Sequence, residues 1–115
     1  MIFAWLRSLG FTLAVEVPVF VLFARGQVPA GRAALAGAAG TLLTHPVLWF
    51  LWPRFFHDYT SFIVTGEILV AVIEGFTFFA LARSLRLSRA ISASFIANAA
   101  SYGLGALLRS IGLLF

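Results

Sequence analysis

The chain has 115 residues, of which 62% are hydrophobic and only 10% are charged, and its mean hydropathy is +1.03. Soluble domains carry about 25% charged residues, so this composition excludes an ordinary soluble protein, and its many aromatic residues exclude a disordered one. The absence of cysteine excludes disulfides, thiolate metal sites and cysteine nucleophiles. All eight basic residues are arginines placed singly near the ends of apolar runs, which is typical of a membrane protein and not of nucleic-acid binding.

Four apolar runs are each long enough to cross a hydrocarbon core of about 30 Å, which needs roughly 20 helical residues. In chain order they are residues 3–24, 33–52, 61–82 and 90–108. The joints between them are short, as is typical of antiparallel neighbours in a helical bundle. The sequence therefore predicts an all-α membrane protein with a single four-helix transmembrane domain over residues 1–115, in contact with the lipid bilayer.

The arginines favour one orientation of these spans. The first and third joints hold five arginines and the opposite side holds three, so the positive-inside rule predicts cytoplasmic joints and both termini outside. The absence of lysine fits a GC-rich bacterial genome, and we expect a multi-pass protein of a bacterial inner membrane. Aromatic residues around the second joint predict an interfacial belt at the outer surface. They are Trp49, Trp52, Phe55, Phe56 and Tyr59.

The two halves of the chain align with each other when one residue is dropped in the joint that follows the first span of each half. The matched polar positions are Glu16 with Glu74, Arg25 with Arg83, Arg32 with Arg89, Thr41 with Asn98, and Thr44 with Ser101. Because the chain has only four acidic residues, the glutamate match carries more weight than the apolar matches. The sequence predicts two tandem helical hairpins, about residues 1–57 and 58–115, as a parallel internal repeat. A chance likeness of two hairpins is the alternative.

The matched polar residues share one depth in the membrane. Glu16 and Glu74 each lie eight residues from the predicted cytoplasmic end of their span, which is roughly 12 Å. A charged carboxylate at that depth costs about 2.5 kcal/mol or more, so both must face protein or water. We predict that they share a proton or bind a cation, with polar neighbours at the same depth or one turn further out. The predicted ligand-binding residues are Glu16, Thr41, Thr44, His45, Glu74, Asn98 and Ser101.

Two further charged residues, Glu67 and Arg109, form a secondary polar set nearer the outer surface. Glu67 either continues a row of carboxylates along a cavity or forms a salt bridge with Arg109 or Arg54 at the membrane interface. A lone histidine in a span is more often a hydrogen-bonded core residue than a metal ligand, so metal binding by His45 stays open. The sequence contains none of the familiar phosphate-binding, zinc-protease or serine-hydrolase motifs, and we predict neither a catalytic residue nor a cofactor.

Small residues recur every four positions in the second and fourth spans. They are Ala33, Gly37 and Thr41 in one span, with His45 next in the same register, and Ala93, Ala97, Ser101 and Gly105 in the other. Such stripes allow helix backbones to approach closely. We therefore expect the second and fourth spans to cross at the centre of the bundle.

The segments Glu16-Val17-Pro18, Thr41 to Pro46, Glu67 to Glu74 and Asn98 to Ser101 resemble those of a group of uncharacterised small four-span bacterial inner-membrane proteins. The resemblance covers the whole chain and implies no activity.

The residues themselves favour a small transporter or channel for protons, a cation or a cationic solute. The first alternative is a structural or accessory membrane subunit whose polar core fixes packing and partner choice. The second is an intramembrane enzyme that uses a glutamate and His45 as an acid–base pair. A homodimer or a partner membrane protein is compatible with the first two hypotheses.

Overall fold

The computed structural model describes residues 2–113, which form four helices long and apolar enough to span a membrane. The helices are α1 (Ile2–Ala24), α2 (Ala30–Pro46), α3 (Tyr59–Ala82) and α4 (Leu87–Ser110). The second span continues beyond α2 to Phe55 through one π-helical turn and one 3₁₀ turn. Each predicted span lies inside one of the observed spans, and the described residues contain no β-strand. The prediction of an all-α, four-span protein is confirmed.

The second span changes its helical winding after Pro46, which has no backbone N–H to donate. Residues Val47–Leu51 form a π-helical turn, in which Trp52 N–H donates to Val47 O, and Trp52–Phe55 form a 3₁₀ turn. A π turn adds a residue to one turn of the helix and so rotates the side chains that follow it. The last turns of this span therefore present different residues to the bundle than a continuous α-helix would.

The helices pack in a square ring, in which α1 and α3 each contact both α2 and α4. The expected crossing of the second and fourth spans is wrong, because these helices lie diagonally across the ring. Their small residues instead receive side chains of α1 and α3. A Cβ atom added to Gly37 would lie 2.8 Å from Cδ2 of Phe20, and one added to Gly40 would lie 3.3 Å from Cγ of Glu74.

The bundle has two ends of different character. One side of the bundle, which we call the terminal end, contains the first turn of α1, the last turn of α4 and residues 47–58. The opposite side, which we call the arginine end, contains residues 25–29 and 83–86. The buried apolar core lies in the half toward the arginine end, where the Phe20 and Phe78 rings meet with centroids 4.5 Å apart. Its members are Phe20, Ala24, Val28, Ala33, Ala36, Phe78, Ala82, Leu85, Ala90, Ala93 and Ala97.

The connections are held by local hydrogen bonds. The carboxylate of Asp58 caps α3, since it accepts bonds from the Ser61 hydroxyl at 2.7 Å and the Ser61 amide at 2.9 Å. Both bonds lower the pKa of the Asp58 carboxyl, and the bond from the Ser61 hydroxyl has the larger effect. At the arginine end, Gly26 (φ 84°) follows α1, and glycine adopts a positive φ without strain. Arg83 (φ 70°, ψ −48°) follows α3 in a tight turn, in which Ser84 N–H donates to Ala82 O at 2.8 Å.

Candidate functional site

The carboxyl group of Glu16 lies in the middle of α1 and is buried between α2 and α4. Its Oε1 accepts a hydrogen bond from the Thr41 hydroxyl at 3.0 Å, and its Oε2 accepts one from the Ser101 hydroxyl at 2.6 Å. Only 1% of the Glu16 side chain is exposed. Both donors are neutral, so they solvate a charge on Glu16 without cancelling it.

Glu74 lies in the middle of α3 and is 2% exposed. Its Oε1 accepts a hydrogen bond from the Asn98 amide at 3.0 Å, and its Oε2 accepts one from the Thr44 hydroxyl at 2.6 Å. Glu16 and Glu74 line the same cavity, and their donors come from adjacent turns of α2 and of α4. We call these two residues the carboxyl pair. Together with their donors they join all four helices at one level of the membrane.

Each hydroxyl that donates to the carboxyl pair has a second acceptor in its own helix. Thr41 Oγ1 lies 3.3 Å from Gly37 O, Thr44 Oγ1 lies 3.0 Å from Gly40 O, and Ser101 Oγ lies 3.2 Å from Asn98 O. A hydroxyl has a single proton to donate. It can therefore turn from a carboxylate to its own backbone when the carboxylate takes up a proton or a cation, and neither arrangement leaves a buried donor unpaired.

A cavity of about 450 Å³ extends from the carboxyl pair toward the terminal end. Its walls come from all four spans and are largely aromatic and aliphatic, with Phe11, Trp49, Phe62 and Tyr102 among them. Toward the arginine end, the packed core with the Phe20–Phe78 contact lies beneath the pair. The carboxyl pair thus lies at the inner end of this cavity.

His45 also lines the cavity, but it is not paired with a glutamate. Its Nε2 lies 3.5 Å from the hydroxyl oxygens of both Ser8 and Thr12, and its buried Nδ1 has no hydrogen-bond partner. The ring stacks at 25° on Trp49 with centroids 6.3 Å apart. An acid–base pair needs a direct hydrogen bond or a shared water, so the predicted pairing of His45 with a glutamate is not formed directly here.

The secondary polar residues lie along the cavity above the carboxyl pair. Glu67 lines its α3 wall and Arg109 lines its α4 wall near the terminal end. Tyr59 and Tyr102 line the same space. Glu67 lines the cavity, as expected if it continues a row of carboxyl groups along it. Within residues 2–113, no group of three or more histidine or acidic side chains is placed to hold a metal ion.

Most residues predicted for the site meet around one space. Glu16, Thr44, His45, Glu74, Asn98 and Ser101 line the cavity, and Thr41 donates to Glu16 beside it. Sequence reasoning missed Ser8 and Thr12, although Ser8, Thr12 and Glu16 form a polar stripe with the four-residue spacing of one helix face. It also assigned Trp49 and Tyr59 to a surface belt, whereas both line the cavity.

Comparison with protein-family models, with curated proteins and with solved structures finds no match for this chain. The functional argument therefore rests on the geometry of the carboxyl pair and the cavity.

Proposed function

We propose that this chain is a small transporter or channel for protons, a cation or a cationic solute, with the carboxyl pair as its binding site. The observation that carries the proposal is the burial of two carboxyl groups, with neutral donors only, at the inner end of a cavity. Two negative charges without a basic partner would cost at least about 5 kcal/mol at this depth. A shared proton or a bound cation removes that cost.

The hydrogen bonds support a site that can be filled and emptied. Glu16 and Glu74 meet at the inner end of one cavity, where we expect them to share a proton or bind a cation. Each carboxylate oxygen uses one lone pair for its hydroxyl or amide donor and keeps another for a cation. When the site changes occupancy, the three hydroxyls can turn to their backbone acceptors. Binding and release then need no large rearrangement of the helices.

The cavity supports access from the terminal end. Its volume of about 450 Å³ is far larger than a single bare ion requires and admits a hydrated cation or a small cationic solute. Glu67, above the pair, offers an intermediate negative charge on the way in. Passage through the membrane then requires the Phe20–Phe78 contact to open, which makes these rings the closed gate in the state described.

We further infer that the two hairpins are a tandem repeat, with Glu16 and Glu74 as equivalent residues. The hydrogen bonds support this because each bond of one carboxylate has a counterpart of the same length at the other. The counterparts are Glu16–Thr41 with Glu74–Asn98, both 3.0 Å, and Glu16–Ser101 with Glu74–Thr44, both 2.6 Å. In parallel repeats the site lies at the repeat interface, as the carboxyl pair does.

The connections at the arginine end support this alignment. The last residues of α1 and α3, Ala24 and Ala82, differ by 58 in residue number, whereas the extended residues before α2 and α4, Pro29 and Arg86, differ by 57. The one-residue deletion therefore lies within the joint. The pairing of Arg32 with Arg89 keeps the offset of 57.

The test is a thermal-stability scan of the purified protein from pH 5 to 9 with Na⁺, K⁺, Mg²⁺, Mn²⁺, Zn²⁺ and methylammonium. A ligand of the folded state raises stability by about 2.7 kcal/mol at a hundred times its Kd. We expect one ion or low pH to stabilise the wild type, and Glu16→Gln and Glu74→Gln to abolish that gain. The matched control is Thr77→Val, because Thr77 bonds only to Ile73 O on the exposed face of α3. Ion or proton flux in proteoliposomes then tests transport.

The alternative hypothesis, a structural membrane subunit, is supported by the hydrogen bonds that the carboxyl pair accepts from neighbouring helices. The carboxyl pair bonds to both α2 and α4 and so fixes the register of all four helices. A stability profile that is flat across pH and ions, together with co-purification of a membrane partner, would establish this role instead and end the transport proposal.

A further inference from the structure

An open groove of about 460 Å³ lies at the arginine end, between the last turns of α1 and the first turns of α4. Its lining combines two arginines, two serines and two large apolar residues. These are Leu22, Phe23, Arg86, Ser88, Arg89 and Ser92. No acidic residue is among them, and the groove is separate from the cavity that contains the carboxyl pair.

The groove presents hydrogen-bond donors from both side chains and backbone. The Arg89 guanidinium donates to Phe23 O at 3.3 Å, which fixes it between the two helices with other N–H groups left to bind a ligand. Helix α4 starts after Arg86 without a side-chain cap, and its first intrahelical bond runs from Ala90 N–H to Arg86 O. The amides of residues 87–89 thus precede the helical bonding and favour a negative charge, together with the helix dipole.

The charge around the groove is not balanced by nearby acids. Five arginines belong to the arginine end, namely Arg25, Arg32, Arg83, Arg86 and Arg89. The four acids of the chain lie elsewhere: the carboxyl pair is roughly 12 Å deeper, and Asp58 and Glu67 lie toward the terminal end. A ligand that complements this end therefore carries negative charge.

The level of the groove in the membrane defines the source of that charge. Leu22 is 63% exposed on the lipid-facing surface, and α1 ends two residues later at Ala24, so the groove lies where the apolar helix leaves the hydrocarbon core. Phospholipid phosphates occupy this level. Arginine matches phosphate oxygens with paired N–H groups, and serine hydroxyls add further donors. Leu22 and Phe23 offer an apolar surface for the start of an acyl chain.

We propose that this groove binds the phosphate group of an anionic phospholipid. Arg86 and Arg89 contact the phosphate, Ser88 and Ser92 donate to its oxygens, and the acyl chain runs along Leu22. A net negative headgroup is preferred over a zwitterionic one, because the groove has no carboxylate to pair with a choline or ethanolamine group. The proposal concerns the opposite half of the bundle from the carboxyl pair and does not depend on transport.

The experiment measures retention and affinity of phosphatidylglycerol and phosphatidylcholine on the full chain in neutral detergent, by native mass spectrometry and lipid titration. Each arginine near a membrane surface contributes about 1 kcal/mol to binding of anionic lipid, which is about fivefold in Kd. We expect phosphatidylglycerol to bind preferentially and the Arg86→Gln/Arg89→Gln variant to weaken it by at least about tenfold. Arg54→Gln, which removes an arginine from the other end, is the matched control and should leave binding unchanged.

Two further arms identify the source of the phosphate and protect against a folding defect. Inorganic phosphate and glycerol 1-phosphate are added without lipid, and we expect neither to bind at millimolar concentration. Ser92→Ala keeps both arginines and should weaken phosphatidylglycerol binding less than the double variant does. The proposal is wrong if phosphatidylcholine binds as well as phosphatidylglycerol, or if Arg54→Gln weakens binding as much as the double variant does. It is also wrong if free phosphate binds tightly, or if the single variants Ser92→Ala and Arg86→Gln both bind phosphatidylglycerol like the wild type.

Discussion

The two halves of this bundle use the same four helices in opposite ways. Toward the arginine end the helices enclose alanines and two phenylalanines in contact, and many of these side chains are completely buried. Toward the terminal end the same helices separate around a cavity of about 450 Å³. The carboxyl pair lies at the boundary, where packing gives way to open space. The difference shows how so short a chain holds a deep polar site: one half provides the rigidity, and the other half provides access.

The largest effect should come from opening the packed half. Phe20→Ala removes a fully buried ring and its contact with Phe78, so we expect it to lower the free energy of unfolding by about 3–5 kcal/mol. The same change should increase proton leakage in proteoliposomes, because it opens the layer beneath the carboxyl pair. Thermal denaturation and a pH-sensitive dye inside the vesicles measure the two effects.

The control for this variant is Phe76→Ala, which removes a ring that is 52% exposed on the lipid-facing surface of α3. Its stability change should be much smaller, and the vesicles should remain tight. If the two variants behave alike, the packed half is not the barrier that separates the cavity from the arginine end.

Two smaller stability changes of opposite sign should follow from replacing one glycine by alanine in each half of the bundle. Gly37→Ala places a Cβ 2.8 Å from the ring of Phe20, so we expect a loss of about 1–3 kcal/mol. Gly10→Ala adds a Cβ with no atom within 4 Å in the half that contains the cavity, and should gain about 0.5–1 kcal/mol from helix propensity. Chemical denaturation measures both, and a gain for Gly37→Ala would mean that this contact is loose.

The spans and the depth of the polar residues could be predicted from sequence, because a helix converts residue number into distance. That arithmetic placed Glu16 level with Thr41 and Glu74 level with Asn98, and the structure brings both pairs to 3.0 Å. The neighbours of each helix could not be predicted in this way. A stripe of small residues on α2 is equally compatible with α4 or with the large side chains of α1 and α3 as its partner. Fit of Phe20 against Gly37 decides between them, and a single sequence does not report that fit.

The lining of the cavity was only partly predicted from sequence. Trp49 was assigned to a surface belt because it lies near the second joint, where aromatic residues typically mark the membrane interface. It follows His45 by four residues, which places both side chains on one helix face, and it stacks on His45 beside the cavity. The stripe Ser8, Thr12 and Glu16 was readable from its spacing and marks the α1 wall of the same space.

At the boundary between the halves, a single hydroxyl should have an effect of intermediate size. Thr41→Val keeps the shape of the side chain but removes the donor to Glu16 Oε1, so we expect a loss of about 1 kcal/mol and a changed response to the stabilising ion or pH. Thr77→Val removes a hydroxyl that bonds only within its own helix, and should leave the ion response intact. An unchanged ion response in Thr41→Val would show that Glu16 does not need this donor to hold its ligand.

The smallest effect should come from the rim of the cavity. Asp58 is fully exposed and caps α3 beside the terminal end, and its bonds from Ser61 lower its pKa. Because the pKa of the folded state lies below that of the unfolded chain, the cap stabilises the protein above about pH 4, and this contribution disappears as pH falls through the folded value. We expect Asp58→Ala to lower the melting temperature slightly at pH 7 and to match the wild type at the acidic limit. Asp58→Asn, which retains a capping oxygen, should lose less at pH 7. If Asp58→Ala instead destabilises as much as Phe20→Ala, then the open half contributes as much to the stability of the bundle as the packed half does.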